Sequence, residues 1–164
     1  MSTIPDDSSL EKRVRALAAR LLEPGRRLAT AESCTGGWIA KCCTDQPGSS
    51  AWFERGFVSY SDAAKHDSLG VDAQVLQFAG AVSEAVVRQM AAGALAHSAA
   101  DVALAVTGIA GPDGGSEDKP VGTVWFAWDV AGTVESECMV FAGDRDAVRR
   151  QAVAHALDGL AARL

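Results

Sequence analysis

Leu10, Val14, Leu17 and Leu21 recur at helical spacing. That predicts an amphipathic first helix over about 9–22, stopped by Pro24-Gly25. Residues 1–8 are polar and read as a disordered tail, which leaves 9–164 as a single domain. Leu28 to Thr30 opens a short strand, and Trp38 to Cys43 reads as a helix. Ala51 to Tyr60 is rich in aromatic and β-branched residues and predicts a second strand. Ser61 and Asp62 suit the start of a short helix carrying Lys65. Another short helix is expected over Asp72 to Phe78. Ser83 caps a longer one, Glu84 to His97, with Val86, Met90, Ala94 and His97 on one face. Val102 to Val106 is continuously apolar, as in a central strand buried on both faces. Thr107 to Pro120 holds glycines and prolines and reads as a loop. Val121 to Val130 and Thr133 to Phe141 alternate around Ala131-Gly132, which predicts a hairpin. Asp144 caps a last helix whose buried face carries Val153, Leu157, Leu160 and Leu164.

The order of these elements is α-β-α-β-α-α-α-β-β-β-α. It implies a three-layer α/β/α sandwich around a mixed sheet of roughly five strands.

Composition narrows the class of partner. The chain has 164 residues, 48% of them hydrophobic and 22% charged, ordinary values for a globular domain. Its net charge is −6, whereas nucleic-acid and anionic-membrane binders need an excess of Lys and Arg. No nucleic-acid or membrane partner is therefore expected, and a small molecule is favoured. No apolar run approaches the roughly 18 residues of a membrane span. The start of the chain does not read as a signal peptide. Cys34, Cys42, Cys43 and Cys138 form no C-x-x-C pair, so a structural zinc site is not expected. Reduced thiols in the cytoplasm are the default reading.

Three segments can carry chemistry. In the first, Ser33, Cys34, Thr35, Gly36 and Gly37 join a strand to a helix. Unsatisfied N–H groups at such a junction can hold a phosphate or an oxyanion. Ser33 is either a nucleophile or an ordinary N-cap. Cys34 is the rival nucleophile, without a histidine suggested beside it. In the second, Tyr60 is the only tyrosine and Lys65 one of few lysines. A lysine in a partly apolar site can lose its proton and act as a base, and a tyrosine hydroxyl can relay that proton. A solvated Lys65 on a surface helix is the plain alternative. The third is the loop from Thr107 and Gly108 through Gly111 to Gly114 and Gly115, after the buried strand, where open α/β sheets bind ligands. It matches neither G-x-G-x-x-G nor a Walker A loop. Arg145, at the opening of the last helix, is a possible phosphate clamp or a solvated partner of Asp146.

Together, T-A-E-S-C-T-G-G, V-S-Y-S-x-x-A-K, G-A-V-S-E, A-V-T-G-I-A-G-P-x-G-G, K-P-V-G-T-V and G-D-R resemble the CinA C-terminal family, the nicotinamide-nucleotide amidohydrolases or NMN deamidases, in its stand-alone form. The resemblance runs from about Leu28 to the last helix. It implies hydrolysis of the carboxamide of nicotinamide mononucleotide to nicotinate mononucleotide and ammonia, in pyridine-nucleotide recycling. The implied machinery is a serine nucleophile with a lysine and a tyrosine, on the positions Ser33, Lys65 and Tyr60. It implies no metal, and no cofactor is expected. Substrate contacts are expected at Cys34, Thr35, Gly36, Gly37, Thr107, Gly108, Gly111, Gly114 and Arg145. A second reading from another class is a non-catalytic module that binds a pyridine nucleotide. A homo-oligomer, with a dimer favoured, is expected because small enzymes often complete a pocket from a neighbour.

Overall fold

Two apolar clusters, one on each face of a single sheet, organise the chain in the computed structural model, which describes residues 3–164. The sheet has five strands: β1 (Leu28–Glu32), β2 (Phe53–Val58), β3 (Val102–Gly108), β4 (Thr123–Val130) and β5 (Thr133–Val140). Their spatial order is β2-β1-β3-β4-β5. β1 pairs in parallel with β2 and β3, while β3–β4 and β4–β5 are antiparallel. The sheet is therefore mixed, as the hairpin required. β3 lies at the centre, and its first six residues are buried. The hairpin closes through Ala131 and Gly132, both at positive φ (52° and 90°). That backbone gives a two-residue connection the twist of the strands it joins.

Alternation along the strands sorts side chains to the two faces. Leu28, Val102, Leu104 and Val106 point to one face, with Phe126 and Trp128. There they meet α1 (Asp7–Leu22), α2 (Trp38–Asp45) and α6 (Arg145–Arg163). Ala29, Ala31, Ala103, Ala105 and Ala127 point to the other. These small residues let α5 (Glu84–Ala96) lie close to the sheet, flanked by α3 (Asp62–Leu69) and α4 (Ala73–Ala79). The layers are α/β/α. Emptying a position such as Leu104 would cost about 2–5 kcal/mol.

Boundaries differ from the sequence expectation where capping decides them. α1 starts at Asp7 because the Asp6 carboxylate accepts from the Ser9 N–H at 2.7 Å. Asp7 also meets Arg150 of α6 at 2.5 Å. Of the expected tail, Asp7 and Ser8 are thus helical, residues 3–6 are not, and Met1 and Ser2 lie outside the described residues. β2 is shorter than expected, since Ser49–Ala51 forms a 3₁₀ turn before it. Of the aromatic residues near it, Trp52 is in the core, and Trp38 and Phe53 pack against that core half-buried.

The topology fixes where chemistry can happen. Three parallel strands end side by side: Glu32 of β1 stands opposite Val58 of β2 and Val106 of β3. Everything that leaves those three ends meets in one place.

Candidate active site at the ends of three parallel strands

The turn after β1 is held from below by Glu32. This carboxylate is fully buried. It accepts from the Thr35 hydroxyl (2.7 Å) and from the N–H groups of Ile39 (2.8 Å) and Ala40 (3.1 Å). Burial pushes the Glu32 carboxyl above its usual range, and the donors, the Gly37 N–H among them, pull it back. Glu32 thus satisfies the first turn of α2, whose N-cap position is Gly37 with no side-chain cap of its own. Ser33 is not the N-cap. Its side chain is left free for another partner.

That partner is Lys65. The lysine is 1% exposed, and its Nζ lies 3.0 Å from Ser33 Oγ and 2.8 Å from the main-chain oxygen of Tyr60. Ser61 caps α3 by accepting from the Ala64 N–H, and the first turn of that helix turns Lys65 inward. Burial lowers the Lys65 pKa from its free value, while Asp62 and then Cys34 oppose the shift. Among the described residues no carboxylate comes within ion-pairing distance of Nζ. A neutral amine has two N–H groups and one lone pair. The Tyr60 carbonyl takes one N–H, and the lone pair can accept the Ser33 hydroxyl proton.

Tyr60 itself is 61% exposed. Its hydroxyl pairs with Arg145 Nη2 at 3.3 Å, so its contact with the Ser33–Lys65 pair is through its main chain. Ser33 Oγ is 3.5 Å from that same carbonyl. Arg145 also donates through Nη1 to the Gly111 oxygen at 2.7 Å. It joins the third segment to the second, and it remains exposed.

The other expected contacts divide. The Cys34 thiol is buried in the core and pushed up to about 12, chiefly by burial, so it is a packing group and not a nucleophile in waiting. The Thr35 side chain is buried on Glu32. Cys34 and Thr35 instead present their main chain, since their N–H groups donate to no oxygen among the described residues. Gly36 (φ 60°) makes the turn possible, closing it with an N–H bond to Ser33 O at 3.1 Å. Gly108 brings β3 close to that turn, for a Cβ there would lie 3.2 Å from Cys34 Sγ. The Thr107 hydroxyl is occupied by Ala81 O at 3.0 Å. Gly114 stands on the exposed outer part of the loop, with no hydrogen bond to Ser33, Lys65 or Arg145.

Sequence reasoning did not select two groups that build this site. Glu32 was detectable as the one charge in a five-residue buried strand. Arg149, whose guanidinium donates to the oxygens of Cys34 (3.0 Å) and Thr35 (3.2 Å), carries no local signal, since its partners lie more than a hundred residues away. Among the described residues no group of His, Cys, Asp and Glu is arranged to hold a metal ion. No helix among them is long and apolar enough to cross a membrane.

Comparison with known proteins gives the family and the fold. The CinA C-terminal domain family matches residues 10–164. The nicotinamide-nucleotide amidohydrolase PncC of Escherichia coli strain K12 is 57% identical over 157 residues, covering 94% of both chains. The Pseudomonas putida protein of the same name is 56% identical over 151 residues, covering 90% of this chain and 94% of that one. A CinA-like protein of Akkermansia muciniphila is 52% identical, with the match spanning only 37% of its length. Among solved structures, a CinA superfamily protein from Escherichia coli superposes with a TM-score of 0.93 at 41% identity, covering 99% of this chain and 95% of that one. The competence/damage inducible protein CihA of Agrobacterium tumefaciens gives 0.91 at 45% identity, covering 99% and 98%.

Proposed function

The chain belongs to the CinA C-terminal domain family, and from that premise we propose that it hydrolyses the carboxamide of nicotinamide mononucleotide, yielding nicotinate mononucleotide and ammonia. The observation that carries the proposal is the buried Lys65 amine, 3.0 Å from Ser33 Oγ and, among the described residues, without a carboxylate partner. A buried lysine with no counter-ion is costly as an ammonium and is favoured as a neutral base. Binding alone calls for no such pair.

The reaction follows in two halves. Lys65 Nζ takes the Ser33 proton as Oγ attacks the carboxamide carbon. The free N–H groups of Cys34 and Thr35, beside the nucleophile, receive the oxyanion. The C–N bond breaks, and Lys65 returns its proton to the departing nitrogen, which leaves as ammonia. Water then gives a proton to Lys65 and attacks the ester. The second intermediate collapses to nicotinate mononucleotide, and the Ser33 oxygen recovers the proton. Tyr60 orients Lys65 through its carbonyl. Its hydroxyl meets the exposed Arg145, which also holds Gly111 O, and that guanidinium suits the substrate phosphate. Ammonia release and product formation return the pyridine ring to nucleotide synthesis.

Covalent capture tests the assignment. Protein quenched in acid during turnover should carry the substrate's acyl group, mapped by mass spectrometry to the peptide containing Ser33. The Ser33→Ala variant should carry none and lose turnover by a factor of about 10³ or more. An active Ser33→Ala beside an inactive Cys34→Ala would move the nucleophile to Cys34.

A further inference from the structure

Most main-chain donors of the turn from Ser33 to Ala40 already have acceptors. Ser33 N–H binds Val106 O, Gly36 N–H binds Ser33 O and Trp38 N–H binds Thr35 O, at 3.0–3.1 Å. The N–H groups of Ile39 and Ala40 are taken by Glu32, and that of Gly37 faces the same carboxylate. Those of Cys34 and Thr35 donate to no oxygen among the described residues. A free N–H serves an oxyanion only if its peptide is held at a fixed angle, since preorganised dipoles are what lower the barrier. In a trans peptide the C=O points opposite to the N–H, so whatever grips the carbonyl aims the donor.

The two donors are aimed by different means. The Cys34 N–H belongs to the peptide whose carbonyl is Ser33 O, and that oxygen is gripped within the turn by Gly36. The Thr35 N–H belongs to the peptide whose carbonyl is Cys34 O. Among the described residues the group that donates to this oxygen is Arg149 Nε at 3.0 Å, reaching in from α6. Its Nη2 holds the next carbonyl, Thr35 O, at 3.2 Å. The Arg149 guanidinium also lies over the Trp38 ring, 5.3 Å from its centroid, a ring it shares with Arg150 at 4.8 Å. Among the described residues Arg149 forms no ion pair, unlike its neighbour Arg150, which has Asp7 and Asp146. Its charge is spent on two successive carbonyls of the nucleophile's turn. A charged donor on a carbonyl also polarises that peptide and strengthens its N–H as a donor.

We infer that Arg149 is a positioning residue for the oxyanion site, holding the Cys34–Thr35 peptide so that the Thr35 N–H meets the transition state. It touches no reacting atom. The inference rests on Ser33 being the nucleophile.

The experiment compares Arg149→Met and Arg149→Lys with the wild type and Ser33→Ala, measuring kcat and KM for nicotinamide mononucleotide together with Tm. A displaced donor should lower kcat by about 10- to 100-fold in Arg149→Met and leave KM close to the wild-type value. Arg149→Lys should recover part of kcat, because an ammonium reaches only one of the two carbonyls. Low-millimolar guanidine should recover part of kcat in Arg149→Met. A raised KM at unchanged kcat would overturn the inference by making Arg149 a substrate contact. A lower Tm with both constants unchanged would also overturn it, leaving a purely structural tether. If Arg149→Met does not fold, the same readings on Arg149→Lys decide the matter. An active Ser33→Ala would sink the underlying assignment, whereas an inactive one beside normal Arg149 variants sinks this inference alone.

Discussion

Replacing Lys65 with methionine should inactivate the protein and stabilise it at neutral pH. The methionine keeps most of the length of a side chain that is 1% exposed and removes the group whose charge the interior disfavours. Burial lowers the Lys65 pKa, so between the folded and unfolded values the unfolded chain holds the extra proton. Stability then rises with pH across that window and is weakest below it. Each unit by which the amine is depressed costs about 1.4 kcal/mol below the window. Against this gain, the variant leaves Tyr60 O without its 2.8 Å donor, a loss of about 1 kcal/mol. For a chain of this size 1 kcal/mol moves Tm by about 2–4 °C. Inside the window the wild type should therefore gain roughly 3–6 °C per pH unit relative to the variant. The assay is thermal unfolding of both proteins from about pH 6 to about pH 10.4, the free lysine value. In parallel, wild-type kcat/KM should rise with pH through a base titrating below that value. Parallel Tm curves for the two proteins would refute the reasoning, because they would mean that Lys65 is charged in the folded state at every pH tested.

Two further substitutions probe the frame around the pair. Glu32→Gln sets an amide NH₂ against one of the two N–H donors, Ile39 or Ala40, that now meet separate carboxylate oxygens. It should cost about 1–3 kcal/mol, read as a fall in Tm, and should lower kcat because the turn it anchors carries Ser33. Gly108→Ala places a Cβ 2.7 Å from Val124 Cγ2 and 3.2 Å from Cys34 Sγ. It should cost about 1–3 kcal/mol of overpacking and reduce turnover by displacing the Cys34 main chain, both measurable on one purified sample.

What the sequence made legible, and what it did not, follows from range. Leu10, Val14, Leu17 and Leu21 announce α1 because a helix repeats locally, and all four are buried as expected. The run Val102 to Val106 announces the central strand because burial on both faces leaves no polar position. Strand order was not readable, since β1 pairs with β3 across more than seventy residues and no local pattern encodes that choice. The same limit applies in the site. The motif residues Ser33, Tyr60 and Lys65 come together, yet the part of Tyr60 that meets Lys65 is its carbonyl, and main-chain roles leave no trace in residue identity. Glu32 reads in sequence as one acidic residue, and only the turn of α2 above it reveals four converging donors. Arg149 differs from Arg145 and Arg150 only in what it reaches.

The central claim is tested most directly by ammonia release from nicotinamide mononucleotide, measured on the purified protein with EDTA present and beside the Ser33→Ala variant. A Ser33 nucleophile requires sustained release by the wild type and none by the variant. Release by both proteins would contradict the Ser33–Lys65 mechanism. Bound substrate with no ammonia from either would contradict the hydrolase reading and leave a nucleotide-binding module in its place.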